Sequence, residues 1–397
     1  MSILDELSQR SSWERFYEYK CSLEGNQQFS RELRGFIDSG SYIPVCSRIY
    51  SGEDFPLPRR SVISKQDTMK KRIVYTYPEA ENMVLKLLTY LLLRKYDGLF
   101  SSGLYSFRPN RTAKDAVRRL TRQPGINKLY SYKADISNYF NSVPVEKLLS
   151  LLEKVLSDDE RLYSFLSGLL TEDRVIDGNT VISEKKGIMA GTPLSAFFAN
   201  LYLMDLDIAF EKEAVLCCRY SDDIIIFADT GQKCREYAAR LHSFIAERGL
   251  GINPSKECFS SPDEGWTFLG FSYRNGVIDI APSSLVKMKN KMRRKARALQ
   301  RWKKRSELDG EKAALAFIRI FNSKMFECGI NSDLTWNKWF FSVINTDKSL
   351  RIIDNYAQDC VRCLMSGKRT KARFNVRYED IRRMGLRNLV HEYYAQK

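Results

Sequence analysis

Two apolar runs, Ala214 to Cys218 and Ile224 to Ala228, enclose the polar string Tyr220-Ser221-Asp222-Asp223, a pattern that predicts a strand, a tight turn and a second strand. Another short strand is expected over Leu129 to Ile136, and strand-forming residues dominate Val62 to Tyr77. Glu79 to Tyr96 carries Met83, Leu85, Leu88 and Leu92 along one face, so a helix follows there. Ahead of these elements, residues 1–55 read as a helical lead-in (Ser12 to Lys20, then Glu32 to Ile37), ended by turn-prone residues 51–54 and by Pro56-Leu57-Pro58. Strands and helices alternate to about Ile280. Beyond Pro282, Leu285, Met288, Met292, Ala296 and Leu299 recur at three- and four-residue steps, predicting a helix with one inward stripe. The remainder reads as helical and rich in aromatic residues.

The uncharged stretch Gly187 to Met204 approaches the length of a membrane span. It contains Gly191, Thr192, Pro193 and Asn200, which argue instead for a loop leading into a buried helix. The polar, acidic opening Met1 to Gln9 does not resemble a secretory signal, so a cytoplasmic protein without a membrane role is expected.

Charge narrows the class of partner. Lys and Arg number 64 against 48 Asp and Glu, a net +16, which points to a polyanion and to nucleic acid before membrane. Eleven of these cations fall within 285–305, where there is no acidic residue; the segment is either a solvated face or a helix that lies along phosphates. A second basic cluster is Lys368 to Arg373. Nine cysteines with one pair at two-residue spacing, Cys360 and Cys363, and only two histidines argue against a zinc site and for reduced thiols.

Two adjacent carboxylates inside an otherwise apolar hairpin are costly unless a cation neutralises them. For Asp222 and Asp223 alone a solvated turn is the plain alternative. Asp135, in Lys133-Ala-Asp-Ile-Ser-Asn-Tyr-Phe140 at the end of the Leu129 to Ile136 strand, supplies a third carboxylate from a separate strand. That is the arrangement a two-metal phosphoryl-transfer site requires.

In order and spacing these residues resemble the reverse transcriptase family over roughly residues 56–300. Asp135 with Phe140 five positions on, and Tyr220 to Asp223, match its two carboxylate motifs. The string Tyr105 to Ala116 looks like the second fingers motif of the group II intron branch, with Asn110 or Thr112 placed to cap the next helix. Gly187 to Ser195 followed by Ala196 to Leu203 is similar to its template-handling motif, with Ala190 where Gln is usual and Ala196 where Pro is usual. Gly249 to Glu257 and Thr267 to Phe271 resemble the lysine motif and the primer grip.

The resemblance implies an α+β right-hand polymerase: fingers, a palm with an antiparallel sheet plus helices, and a helical thumb. The expected boundaries are a 1–55 extension, a 56–283 fingers and palm domain, and a 284–397 thumb and RNA-binding region. It implies Asp135, Asp222, Asp223 and Lys256 as catalytic residues, the lysine protonating the leaving pyrophosphate, and two Mg2+ ions held at Asp135, Ile136, Asp222 and Asp223. Lys65 and Arg72 are expected on the triphosphate, Phe140 under the sugar as a barrier to a 2′-hydroxyl, and Gly191 beside the nascent pair. Phe140 is otherwise plain core packing. Template RNA, nascent cDNA and deoxynucleoside triphosphates are the expected partners, with a homo-oligomer left open. The short chain and its Trp-rich close look like bacterial reverse transcriptases of the unknown groups and abortive-infection relatives, many of them antiphage defence enzymes copying a structured noncoding RNA. The alternatives are an intron-type maturase or RNA-binding scaffold with secondary polymerase activity, and an RNA-making polymerase on the same palm.

Overall fold

The computed structural model describes residues 2–23, 27–64, 71–327, 335–368 and 370–397. The chain forms two compact units, residues 1–22 with 29–264 and residues 23–28 with 265–397.

The first unit opens on helices α1 (Ile3–Glu6), α2 (Arg10–Ser22), α3 (Gln27–Asp38) and α4 (Tyr42–Ser51). There follow β1 (Arg59–Ser64), β2 (Lys71–Thr76), α5 (Glu79–Lys95), α6 (Ala113–Arg122), β3 (Tyr130–Asp135), α7 (Tyr139–Ser142), α8 (Val145–Val155) and α9 (Glu160–Thr171). The unit closes with β4 (Arg174–Asp177), β5 (Thr180–Ser183), α10 (Ser195–Tyr202), α11 (Met204–Lys212), β6 (Cys217–Tyr220), β7 (Asp223–Ala228), α12 (Gly231–Glu247) and β8 (Cys258–Ser260). The long apolar helix α5 lies in the core, with Val84, Leu85, Leu87, Leu88 and Leu92 fully covered. Thr112, rather than Asn110, caps α6: its hydroxyl accepts from the Asp115 amide and the Asp115 carboxylate accepts from the Thr112 amide, closing a reciprocal capping box.

Two four-stranded sheets result. One runs β2-β1-β4-β5; the other, β6-β7-β3-β8, is antiparallel throughout. Ile224, Ile225, Ile226 and Phe227 of β7 are all buried because α12 packs on β7 and β3 while the opposite face is also covered, so the strand reads as a continuous apolar run rather than an alternating one. The segment Gly187 to Met204 becomes a loop and the eight-residue buried helix α10, and no helix among the described residues is long and apolar enough to cross a membrane.

The second unit contains a three-stranded sheet, β9 (Trp266–Phe268), β10 (Phe271–Arg274) and β11 (Val277–Ile280), ordered β11-β10-β9. The tight β9-β10 turn is centred on Gly270, at φ +88°. Helices α13 (Pro282–Arg305), α14 (Gly310–Phe326), α15 (Trp336–Phe340), α16 (Lys348–Ser366), α17 (Tyr378–Arg383) and α18 (Leu389–Ala395) complete it. Along α13, Met288, Met292 and Leu299 are buried while Lys287, Arg293, Lys295, Arg297 and Arg301 are exposed, which is the expected inward stripe. Pro282 starts this helix at a position that needs no amide donor.

Candidate functional site

Antiparallel pairing of β3 with β7 sets Asp135 directly opposite Asp223, and the β6-β7 hairpin sets Tyr220 opposite Asp223. The Ile136 amide donates to the Asp222 carbonyl at 3.0 Å, so all three carboxylates cluster at one end of two neighbouring strands. Ser221 makes the sharp turn from β6 to β7 with φ +60°, a left-handed conformation that a non-glycine residue adopts at some cost. Asp135 is buried and Asp222 and Asp223 are half-buried. Burial raises the Asp222 carboxyl above its ordinary range, and repulsion from Asp135 adds to it. Burial also pushes Asp223 up to about 6, Lys133 opposing and the other two carboxylates reinforcing the rise.

The turn ending in Lys256 is stitched to the same strand end. The Asn253 amide donates to the Asp135 carbonyl at 2.8 Å, and the Ser137 amide to the Gly251 carbonyl at 2.7 Å. From there Lys256 Nζ reaches Asp135 Oδ2 at 2.5 Å, while Lys133 Nζ stands 4.0 Å from Asp223 Oδ1. Ile136 buries its side chain and spends its amide on Asp222, which leaves only its carbonyl oxygen as a ligand.

Phe140 is half-buried at the start of α7, edge-on to Phe107 at 6.4 Å and to Tyr139 at 5.7 Å. The loop that precedes α10 anchors it: the Ile188 amide donates to the Phe140 carbonyl at 2.8 Å, and a Cβ on Gly187 would fall 2.4 Å from that oxygen. Gly191, at φ +104°, approaches the main chain of β2, where a Cβ would meet the Tyr75 carbonyl at 2.9 Å. Ala190 is a buried rung between the loop and its neighbours. Its carbonyl accepts from the Tyr75 amide at 2.8 Å and its amide donates to Asn141 Oδ1 at 3.1 Å, with Asn141 Nδ2 donating on to the Ile73 carbonyl. Arg72 is exposed on β2, and its charge reaches Asp222. Lys65 lies outside the described residues.

Arg219, Asp207 and Asn141 escaped the sequence reading. Arg219 is fully buried beneath the Asp222-Asp223 turn, with Nε 2.9 Å from both Asp207 carboxylate oxygens. Its guanidinium also donates to the carbonyls of Ser221 (3.3 Å) and Asn200 (3.2 Å), tying the turn to α10. The available signal was an arginine inside an apolar strand, which cannot stay charged there without a partner.

Carboxylate oxygens are hard donors of the kind Mg2+ takes, and a set with two members raised by burial and mutual repulsion fits a divalent cation. Among the described residues, no three His, Cys, Asp or Glu side chains are gathered into a closed ligand group. Asp135 is turned to Lys256 instead.

A family model described as reverse transcriptase (RNA-dependent DNA polymerase) matches residues 63–273, a span that holds every site residue named above. An uncharacterized 91 kDa protein in cob intron of Schizosaccharomyces pombe is 29% identical over 163 residues, 39% of this chain and 19% of that protein. The group II intron-encoded protein LtrA of Lactococcus lactis subsp. cremoris is 23% identical over 167 residues, 41% of this chain and 27% of that one. The chain thus spans less than a third of the length of the curated relatives it matches. Among solved structures, apo telomerase from Candida tropicalis aligns with a TM-score of 0.50 at 11% identity, covering 85% of this chain and 61% of that one. That likeness speaks for the α+β right-hand polymerase fold.

Proposed function

Because the chain belongs to the reverse transcriptase family, whose model covers more than half of it, we propose that it is an RNA-directed DNA polymerase with its reaction centre at Asp135, Asp222 and Asp223. The observation that carries this reading is the strand register that sets Asp135 against Asp223, with Asp222 adjoining. Two Mg2+ ions held by these carboxylates and the Ile136 carbonyl would supply charge neutralisation for the attacking and leaving oxygens. Arg72, and Lys65 with it, orients the triphosphate, and the Lys256 Nζ gives its proton to the leaving pyrophosphate oxygen. The ring of Phe140, whose main-chain carbonyl is held by the Ile188 amide, excludes a 2′-hydroxyl by bulk. The exposed cations of α13 contact duplex phosphates without reading bases.

Primer extension on an RNA template with Mg2+ tests the reading: deoxynucleotide incorporation is expected, and its absence overturns it. Phe140→Ala is expected to raise the kcat/KM for ribonucleotides relative to deoxynucleotides by at least about tenfold. An unchanged ratio removes Phe140 from the sugar and admits an RNA-making polymerase.

We further propose a dedicated structured noncoding RNA as template and bacterial antiphage defence in the cytoplasm as the setting. This rests on the resemblance of the Ala190 to Ser195 loop and of the Trp-rich C-terminal region to bacterial reverse transcriptases of the unknown groups and abortive-infection relatives. One RNA species recovered with its complementary DNA from cells expressing the protein supports it; a mixture without a dominant template sinks it.

A further inference from the structure

The three carboxylates adjoin in register, yet they do not form a closed ligand group. Two lysines stand among them. Lys133 precedes Asp135 by two residues on β3, so both side chains leave the same face of the strand, and its ammonium stands 4.0 Å from Asp223. Lys256 arrives from a separate segment and forms a direct ion pair with the least exposed of the three, Asp135, at 2.5 Å. The two partners differ in mobility. Asp135 is 7% exposed at its side chain and fixed by the β3 ladder, whereas the Lys256 side chain is 50% exposed and its ammonium can leave while its main chain stays tied at Asn253.

We propose that Lys256 is the resident counter-ion of the metal-free site: it pairs with the Asp135 carboxylate that a divalent cation would also draw on, so cation binding is a competition with this lysine. The proposal deepens the polymerase reading and rests on it for the identity of the cation. Its physical content is simple. Like charges about 4 Å apart repel by about 4 kcal/mol at an effective dielectric of 20, so three neighbouring carboxylates need compensation whenever no metal is present. An ammonium on one oxygen supplies part of it, but Mg2+ binds a carboxylate oxygen at about 2.1 Å, and an ammonium held at 2.5 Å from that carboxylate repels the incoming cation. Displacement also frees the Nζ. A lysine paired with Asp135 cannot face a leaving oxygen; one released from it can. The same residue therefore becomes available as a proton donor only once its place has been taken.

Lys256→Met keeps the chain length and removes the charge, and Lys133→Met serves as the control for charge without direct pairing. Calorimetric titration of the template-free protein with Mn2+ is expected to show Lys256→Met binding about tenfold more tightly than wild type, and Lys133→Met shifting clearly less. In EDTA the Lys256→Met protein is expected to melt below wild type, and Asp135→Asn added to it should return most of that loss, because the uncompensated carboxylate is then gone. Equal Mn2+ affinity for wild type and Lys256→Met overturns the proposal, as does an equal gain in the two lysine variants, which reduces the effect to net charge. Neither readout involves template or nucleotide, so the competition stands or falls separately from polymerase activity.

Discussion

Asp222→Asn together with Asp223→Asn is expected to lower nucleotide incorporation by at least about a thousandfold and, in the same protein, to raise the melting temperature measured in EDTA. The first effect follows from removing two of the three carboxylates around which the proposed phosphoryl transfer is organised. The second separates this site from an ordinary surface turn. Asp223 moves from an ordinary 3.8 to about 6, chiefly through burial. A folded-state pKa above the unfolded value means that the folded chain binds the proton more tightly. The stabilisation linked to that proton is complete below 3.8 and is lost as pH rises through about 6. At neutral pH the folded, metal-free protein therefore holds an ionised carboxylate at a cost of about 2 kcal/mol, allowing for its partial exposure. An asparagine of the same shape does not carry that cost. Differential scanning fluorimetry in EDTA should place the double variant a few degrees above wild type at pH 7.5, with the gap closing toward pH 4. A variant that melts lower than wild type would mean that the carboxylates are already satisfied without metal.

How much of this was written plainly in the chain differs from element to element. The Asp222-Asp223 hairpin was legible because two apolar runs bracket a polar pair over a length that only a tight turn can close. Asp135 was legible because its strand ends with it. Helix α4 was covered only by the broad helical lead-in over 1–55 and not placed in it; its Pro44 falls in the first turn, where a missing amide donor costs nothing. The parallel pairing that sets Arg59 against Ile176 joins segments more than a hundred residues apart, and no local pattern announces such a contact. Ala190 shows a different limit. Read against a motif it is a missing glutamine; in the fold it is a buried main-chain rung held by Tyr75 and Asn141, and its side chain matters less than its amide and carbonyl. Asn141 could be identified only once both of its partners were in place. The proposed metal ligand at Ile136 has the same character: a carbonyl oxygen leaves no trace in side-chain chemistry.

The most severe loss of stability is expected at Arg219. With no exposed surface, bonded to both oxygens of the buried Asp207, this arginine cannot be replaced alone without leaving a charge in the core. Arg219→Met should cost about 3–5 kcal/mol in chemical denaturation, the usual penalty for breaking one side of a buried pair. Asp207→Leu combined with Arg219→Met should recover most of it, because two apolar side chains of similar bulk replace two compensated charges. Recovery of the fold is not expected to restore activity. The guanidinium also donates to the Ser221 carbonyl at the turn and to the Asn200 carbonyl in α10, and methionine donates to neither. The double variant should thus refold with near-native stability while its kcat for primer extension falls by about ten- to a hundredfold, with KM for the nucleotide changed little. A double variant with full kcat would make the pair a packing device. One with lost kcat and intact stability makes it the support that aims Asp222 and Asp223, and explains why so costly a pair sits under that particular turn.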